Sequence, residues 1–156
     1  MKIGVIIHSQ TNHTYFVAQR LKEELSATGH SVSIVKIIAA NDREQDINKI
    51  KLENTPDVSE YDGIIFGAPV RGFALSPILT AYLTGMNTLR GKKVECYVTQ
   101  FFRYPWMGGN RAIKQMKNIC EEKDANVIGT GIINWSSKKR KVQIEQMAEK
   151  QKQLFV

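Results

Sequence analysis

Short apolar runs alternate with helical patterns five times along the chain, and this alternation constrains the fold more than any other feature. Strands that alternate with helices form a parallel, doubly wound α/β sheet with helices on both faces. The first run is apolar at nearly every position, which is typical of a strand covered on both faces. The five predicted strands are Lys2–Ile7, Ser31–Ile38, Ile64–Gly67, Lys93–Thr99 and Val127–Trp135, with the third stopping at Ala68-Pro69.

The segments between these runs carry helix signals. Apolar residues at four-residue spacing predict a helix over Thr14–Leu25, and Gly29 stands where such a helix would end. Ser76-Pro77 predicts a helix start, with the serine as N-cap and the proline at the first helical position. Further helices are predicted at Asn110–Lys123 and Val142–Phe155, and a short one at Asp46–Leu52 within a polar segment.

The 156 residues, 42% of them hydrophobic, suit a single domain over residues 1–156 with a core of normal size. No apolar run reaches the roughly 20 residues of a membrane-spanning helix, and the start of the chain lacks a signal-peptide pattern. Cys96 and Cys120 are too few for a disulfide framework, so both are expected as free thiols in the core. We therefore expect a reduced, cytoplasmic protein with no membrane span.

A hydroxyl-rich turn joins the first strand to the first helix. The first N–H groups of a helix lack partners and carry partial positive charge, so such a junction suits a phosphate. Three hydroxyl side chains add donors, and the turn contains no Lys or Arg. The turn is therefore predicted to bind a phosphate through hydrogen bonds, without a basic side chain. The alternative is a capped turn in which Ser and Thr only close the helix. The loop comprises Ser9, Gln10, Thr11, Asn12, His13 and Thr14.

Two further loops leave the same edge of the predicted sheet, where folds of this class bind ligands. The loop after the third strand combines glycine and proline, so its backbone can lie close to a flat ligand. The loop after the fourth strand places four aromatic residues beside a Gly-Gly pair, and exposed aromatic rings can cover a ring system. Together the loops predict a pocket for an aromatic group joined to a phosphate. The candidates are Ala68, Pro69, Val70, Arg71, Gly72 and Phe73 in the second loop, and Thr99, Gln100, Phe101, Phe102, Tyr104, Trp106, Gly108 and Gly109 in the third.

Some of these side chains have a second interpretation. At least one of Phe101, Phe102 and Trp106 is expected to fill the core or a subunit interface rather than a ligand site. Arg71 either holds the phosphate of a nicotinamide dinucleotide or an acidic substrate, or it forms a surface ion pair. His13 either adds charge at the phosphate when protonated or faces solvent. A second subunit that covers the aromatic loop would make a homodimer, so the oligomeric state stays open.

The net charge of +7 is unevenly distributed along the chain. Residues 1–89 hold 8 Lys or Arg against 9 Asp or Glu, whereas residues 90–156 hold 14 against 6. A basic half can steer an anionic partner toward the protein. The basic cluster Lys138–Lys141 has no interleaved aromatic residues and belongs to no nucleic-acid module, so specific nucleic-acid binding is not expected.

The three loops resemble those of the flavodoxin-like family, and the resemblance covers nearly the whole chain. Ser9–Thr14 looks like the family's phosphate loop, Gly67–Gly72 like the loop beside the flavin ring, and Thr99–Gly109 takes the place of the third loop. The resemblance implies strand order 2-1-3-4-5, non-covalent FMN binding and redox activity. The family often has glycine where this chain has Gln10 and Asn12, although Asn tolerates the left-handed conformation.

The family resemblance implies two main functions. Its electron carriers are usually acidic, so the basic charge of this chain favours the reductase branch, which passes hydride or electrons from NAD(P)H through FMN to a quinone or another small acceptor. The alternative is a non-enzymatic flavodoxin-type carrier for a redox partner protein. A third interpretation is a binding module that has lost FMN. Neither a dinucleotide fingerprint nor a nucleotide-hydrolase loop follows the first strand, and no cysteine stands there as a phosphatase nucleophile.

Overall fold

Six strands and four helices follow one another along the chain, and the computed structural model describes all of residues 1–156. The strands alternate with the helices as the apolar runs predict. The elements are β1 (Lys2–Ile7), α1 (His13–Ala27), β2 (Ser31–Lys36), β3 (Gly63–Arg71), β4 (Ala74–Leu75), α2 (Pro77–Thr84), β5 (Lys93–Gln100), α3 (Gly109–Glu122), β6 (Asn126–Asn134) and α4 (Arg140–Leu154).

The five long strands form a parallel sheet in the order β2-β1-β3-β5-β6, and the two-residue strand β4 pairs antiparallel with β3. Counting only the long strands, this is the predicted order 2-1-3-4-5, so the predicted fold is confirmed. The strand order reverses beside β1, because β2 lies on one side of it and β3 on the other. The loops after β1 and β3 therefore flank the position where doubly wound sheets bind ligands.

Each face of the sheet is covered by two helices over its own apolar core. Helices α2 and α3 cover one face, where Cys96 and Cys120 are buried as predicted, with their Sγ atoms 3.9 Å apart as free thiols. Helices α1 and α4 cover the other face through Leu21, Leu25 and Met147. None of the four helices is both long and apolar enough to cross a bilayer.

Two local predictions were wrong. Strand β3 does not stop at Ala68-Pro69 but continues to Arg71 and turns back into β4. The two central residues of this turn, Gly72 and Phe73, both have positive φ, at 53° and 61°, which is the backbone that closes a two-residue hairpin. The helix predicted at Asp46–Leu52 is a single 3₁₀ turn over Ile47–Lys49, because none of its residues is buried and no packing extends it.

Candidate functional site

The three predicted loops meet at the carboxyl edge of the sheet, and side-chain contacts join them. Arg71 of the second loop donates from Nε to Oε1 of Gln10 in the first loop, at 2.7 Å. The hydroxyl groups of Thr14 in the first loop and Thr99 in the third lie 2.9 Å apart and are buried. The structure therefore brings the predicted site residues of all three loops together around one edge.

The first loop offers a row of unused backbone donors. From Ser9 to Thr14, no backbone N–H donates a hydrogen bond within the chain; the first helical bond of α1 runs from Phe16 N–H to the carbonyl of Asn12. The Ser9 hydroxyl closes the loop by accepting from Tyr15 N–H at 3.3 Å. Unpaired N–H groups at a helix start form an anion-binding site, and partial positive charge from the helix adds to it. The donor set therefore fits a phosphate group.

Asn12 takes the backbone conformation that the turn requires. Its φ of 64° lies in the left-handed region, where asparagine is one of the few tolerated residues besides glycine. Asn12 precedes α1 and its side chain makes no capping bond. The substitution of asparagine for the family's common glycine thus leaves the loop geometry intact.

The remaining first-loop side chains differ in their surroundings. Thr11 is exposed and has no partner, whereas Thr14 is buried against Thr99, so only the former projects freely from the loop. His13 is half-buried and stacks on Trp135 with the ring centroids 3.8 Å apart. Burial and the nearby charge of Arg140 lower the pKa of His13, which leaves its ring neutral at neutral pH. The loop therefore presents uncharged donors to a ligand.

A buried network fixes the end of β1. Asp42 accepts from His8 Nε2 at 2.7 Å, and since a carboxylate only accepts, that ring nitrogen carries the proton. Burial lowers the pKa of His8, so the other ring nitrogen is unprotonated and accepts from the Ser76 hydroxyl at 2.7 Å. Ser76 in turn caps α2, as predicted, by accepting from Leu79 N–H. The network thus ties the first loop to the start of α2.

Arg71 belongs to the same network. Its guanidinium donates to the carbonyl of Asp42 at 2.7 Å and to the carboxylate of Asp42 at 3.0 Å. Burial raises the pKa of Asp42, but the hydrogen bonds from His8 and Gln10 and the charge of Arg71 outweigh it, and the net pKa is lowered. Of the two alternatives predicted for Arg71, the structure shows the ion pair. The carboxylate of Asp42 already compensates its charge.

Removing the Ser76 hydroxyl tests whether this network stabilises the fold. Ser76→Ala leaves a buried His8 nitrogen without a donor and Leu79 N–H without an acceptor, so we expect a loss of about 2 kcal/mol in the free energy of unfolding. Urea titration of the full chain measures it. Ser26→Ala, on the exposed side of α1, is the matched control and should change stability by less than about 0.5 kcal/mol. Equal stability of the two variants would show that the network contributes nothing.

The hairpin of the second loop packs closely against the third loop. Gly108 has a φ of 114°, and a Cβ atom there would approach the Cα of Phe73 to 2.8 Å. At Gly109 a Cβ atom would lie 2.8 Å from Oε1 of Gln100. A side chain at Gly108 would push the hairpin away from the third loop, and one at Gly109 would displace the Gln100 side chain at the base of the third loop. The remaining second-loop candidates, Ala68, Pro69 and Val70, lie in the final part of β3.

The aromatic residues of these loops are all exposed. Phe101 is 68% and Trp106 71% exposed, and Phe102 and Tyr104 are also on the surface. Of the two predicted alternatives to a ligand site, the structure excludes the core for these residues, because the third loop lies beyond the end of the sheet; a subunit interface stays a prediction. Phe102 stacks on Phe73 with centroids 5.8 Å apart, and Tyr104 stacks on Trp106.

Thr99 and Gln100 lie beneath the third loop rather than at its surface. Both are buried, and the Gln100 amide donates to the carbonyls of Phe102 and Tyr104 and to the side chain of Asn134. These bonds hold the base of the loop. The N–H groups of Phe101 and Phe102, like those of Gly72 and Phe73 in the hairpin, donate no bond within the chain. Both loops therefore present free backbone donors at the edge.

Sequence reasoning missed Asp42, His8, Ser76 and Trp135 as neighbours of the site. His8 directly follows the buried strand β1 and Asp42 lies in the segment after the edge strand β2, so both are at the carboxyl edge of the sheet. Trp135 directly follows β6 and is the residue on which His13 stacks. The sequence shows that these residues follow strands. Which of them contact one another depends on the strand order, which the sequence of each strand does not show.

Comparison with known proteins supports the same family that the loops resemble. The family model described as a flavodoxin domain matches residues 5–104. No curated protein matches the chain significantly. Among solved structures, flavodoxin 2 from Bacillus cereus has a TM-score of 0.69 at 19% identity and covers 99% of this chain and 100% of its own. Flavodoxin 1 from the same organism has a TM-score of 0.67 at 18% identity over 100% of both chains. The two-electron reduced flavodoxin from Megasphaera elsdenii has 0.64 at 20% identity over 94% of this chain and 96% of its own. At these identities the structural likeness establishes the fold.

Proposed function

The chain belongs to the flavodoxin family, and from that membership we propose that it binds FMN non-covalently at the carboxyl edge of the sheet and passes hydride or electrons from NAD(P)H to a quinone or another small acceptor. The observation that carries the proposal is the row of six unpaired N–H groups from Ser9 to Thr14. A helix start with free donors and no cation in the loop suits the phosphate of such a cofactor.

We assign the phosphate to the first loop. The free N–H groups and the exposed hydroxyl of Thr11 are the donors, and the Ser9 hydroxyl shapes the loop through its bond from Tyr15 N–H. His13 is neutral and cannot compensate the phosphate charge. We assign that role to the partial positive charge at the start of α1. Thr14 does not face the phosphate; its buried hydrogen bond with Thr99 holds the first loop against the end of β5.

We assign the ring to the surface formed by the tips of the hairpin and the third loop, next to the first loop. Free N–H groups of Gly72, Phe73, Phe101 and Phe102 are donors for the polar edge of the ring, and the exposed aromatic side chains cover its apolar faces. FMN when bound supplies the hydride and electron chemistry, while the chain orients it and excludes water. None of the assigned residues needs to act as a general acid or base.

A non-enzymatic electron carrier for a redox partner protein is the second candidate. The exposure of Phe101 and Trp106 favours it, because large apolar side chains that surround a redox site are suited to cover by a partner. In both candidates the chemistry takes place at the same edge, and they differ in whether the chain alone oxidises NAD(P)H.

Two measurements test the proposal in sequence. The purified chain is mixed with FMN and passed over a desalting column. It should retain the yellow absorbance of flavin at about 450 nm. The loaded protein should then oxidise NADH or NADPH when a quinone is present, with one hydride and one proton reducing each quinone to hydroquinone. Retained colour without turnover would favour the carrier, and a colourless chain would overturn FMN binding and favour a binding module.

A further inference from the structure

Two long segments of the chain carry positive charge without any carboxylate. No Asp or Glu occurs between Glu95 and Glu121 or between Asp124 and Glu145, and each interval contains four Lys or Arg residues. Six of these eight cations lie in the loops after β5 and β6 or in the first turns of α3 and α4. We name them the basic edge: Arg103, Arg111, Lys138, Lys139, Arg140 and Lys141.

The basic edge lies on two loops that are neighbours in the structure. Strands β5 and β6 pair in parallel, and their loops remain bonded beyond the sheet. Trp135 N–H donates to the carbonyl of Gln100 at 2.7 Å, and Ser136 N–H to that of Phe101 at 3.1 Å. The cations therefore lie along one side of the candidate flavin site, next to its exposed aromatic loop.

No salt bridge compensates these cations, and the nearest carboxylate in α4 is that of Glu145, whose pKa is lowered first by the hydrogen bond from Arg20 and then also by the charge of Lys141. All six residues are exposed and none takes part in an ion pair, whereas Arg20 and Arg71 elsewhere in the chain are both paired. The guanidinium of Arg140 lies over the ring of Trp135 and donates to the carbonyl of that residue. The charge of the basic edge is thus available to a partner.

The position of the cations opposes the stability of the fold. Arg111 lies in the first turn of α3, and Arg140 and Lys141 lie in the first turn of α4, with no acidic residue in either turn. Cations at a helix start are unfavourable because the macrodipole places partial positive charge there. Their presence at two helix starts on the same edge of the sheet is therefore explained better by binding than by folding.

We propose that the basic edge and the adjacent aromatic loop form the docking surface for an acidic redox protein. The inference rests on the proposed FMN binding and on the electron-carrier candidate, since a protein partner in electron transfer must approach the edge where the flavin would lie. Protein interfaces are enriched in aromatic residues and arginine, and here Phe101 and Trp106 are each more than two-thirds exposed beside Arg103. A nucleic acid fits less well, because Tyr104 and Trp106 stack on each other rather than leaving separate faces for bases.

The salt dependence of the electron-transfer rate tests whether the docking surface acts through its positive charge. A reduced plant-type [2Fe–2S] ferredoxin is the acidic probe; one of its irons is oxidised from Fe(II) to Fe(III), and the flavin of the loaded chain gains that electron. Raising the ionic strength from about 0.01 M to about 1 M shortens the screening length from about 30 Å to about 3 Å. We expect the second-order rate to fall at least about tenfold. With cytochrome c, a basic acceptor of electrons from the reduced chain, the rate should rise instead.

Matched variants assign the effect to the basic edge. Arg103→Gln with Lys139→Gln should lower the low-salt rate with ferredoxin by about tenfold, whereas Lys22→Gln with Lys117→Gln, which removes equal charge from exposed positions in α1 and α3, should leave it nearly unchanged. Calorimetric titration of ferredoxin into the chain, with or without FMN, should show the same loss of affinity. Calorimetry thus separates this surface from the proposed function, which fails if the chain retains no FMN. A rate that rises with salt, equal effects of both variants, or tight binding of a single-stranded oligonucleotide without binding of ferredoxin would overturn the proposal.

Discussion

Replacing Thr11 with aspartate is expected to weaken FMN binding by at least about 100-fold, or about 2.7 kcal/mol. Thr11 is exposed in the loop whose backbone donors are free, so a carboxylate there would lie beside the phosphate. The variant removes one donor and adds like-charge repulsion, and a hydrogen bond to a charged group alone is worth about 1.5–3 kcal/mol. Folding should not suffer, because a carboxylate just before α1 has the favourable sign for the helix dipole.

Fluorescence titration with FMN and with riboflavin measures the effect and locates it. Riboflavin lacks the phosphate, so Thr11→Asp should leave its affinity within about threefold of the unmodified chain while FMN affinity falls. Thr55→Asp introduces the same charge at an exposed threonine in the segment between β2 and β3 and should change neither affinity. If both ligands lose affinity equally, the first loop does not bind the phosphate. If neither does, the assignment of the loop fails altogether.

The sheet could be predicted from the sequence because its signal is local and repeated. The buried strands β1 and β3 begin as nearly continuous apolar runs, and the alternation with helices leaves little choice but a parallel sheet. The strand order came from the family resemblance, since no run by itself indicates its neighbours. The hairpin at Gly72-Phe73 was missed because only one of its two turn residues carries the expected signal: Gly72 favours positive φ, whereas phenylalanine does not.

The site could be predicted in part. The hydroxyl-rich loop and the aromatic loop follow their strands directly, so their position at one edge is a consequence of the fold class. The ion pair of Arg71 with Asp42 joins residues 29 positions apart, and nothing in the sequence around either residue indicates the other. The exposure of Phe101 and Trp106 was likewise hidden, because composition does not show that the loop extends past the sheet.

Glu95 makes the stability of the chain depend on pH, which could not be predicted from the sequence. It is the third residue of β5 and is fully buried beneath α4, where one carboxylate oxygen accepts from the Gln151 amide at 3.0 Å and the other has no partner. Burial raises the pKa of Glu95 to about 7, although the bond from Gln151 and the charge of Lys150 act against it. The folded chain therefore keeps a proton on Glu95 to a higher pH than the unfolded chain does.

The sign of the effect follows from proton binding. Between the ordinary pKa of 4.5 and the raised value of about 7, the folded state binds more protons than the unfolded state, so the free energy of unfolding decreases as pH rises. The stabilising contribution is complete below the lower value and is lost above the higher one. A difference of this size corresponds to about 3 kcal/mol between the two limits.

Glu95→Gln should abolish this loss, because glutamine has nearly the same shape and carries no charge to bury. We expect the variant to exceed the unmodified chain in stability by less than about 1 kcal/mol at about pH 5 and by about 3 kcal/mol at about pH 9. Urea titrations at both pH values measure the difference, and the lowered pKa of His8 affects both proteins alike. Glu23→Gln, at an exposed position of α1, removes the same charge and is the control for the loss of a carboxylate at the surface. Parallel pH curves for the unmodified chain and Glu95→Gln would mean that Glu95 is ionised in the fold, with water reaching the carboxylate beneath α4.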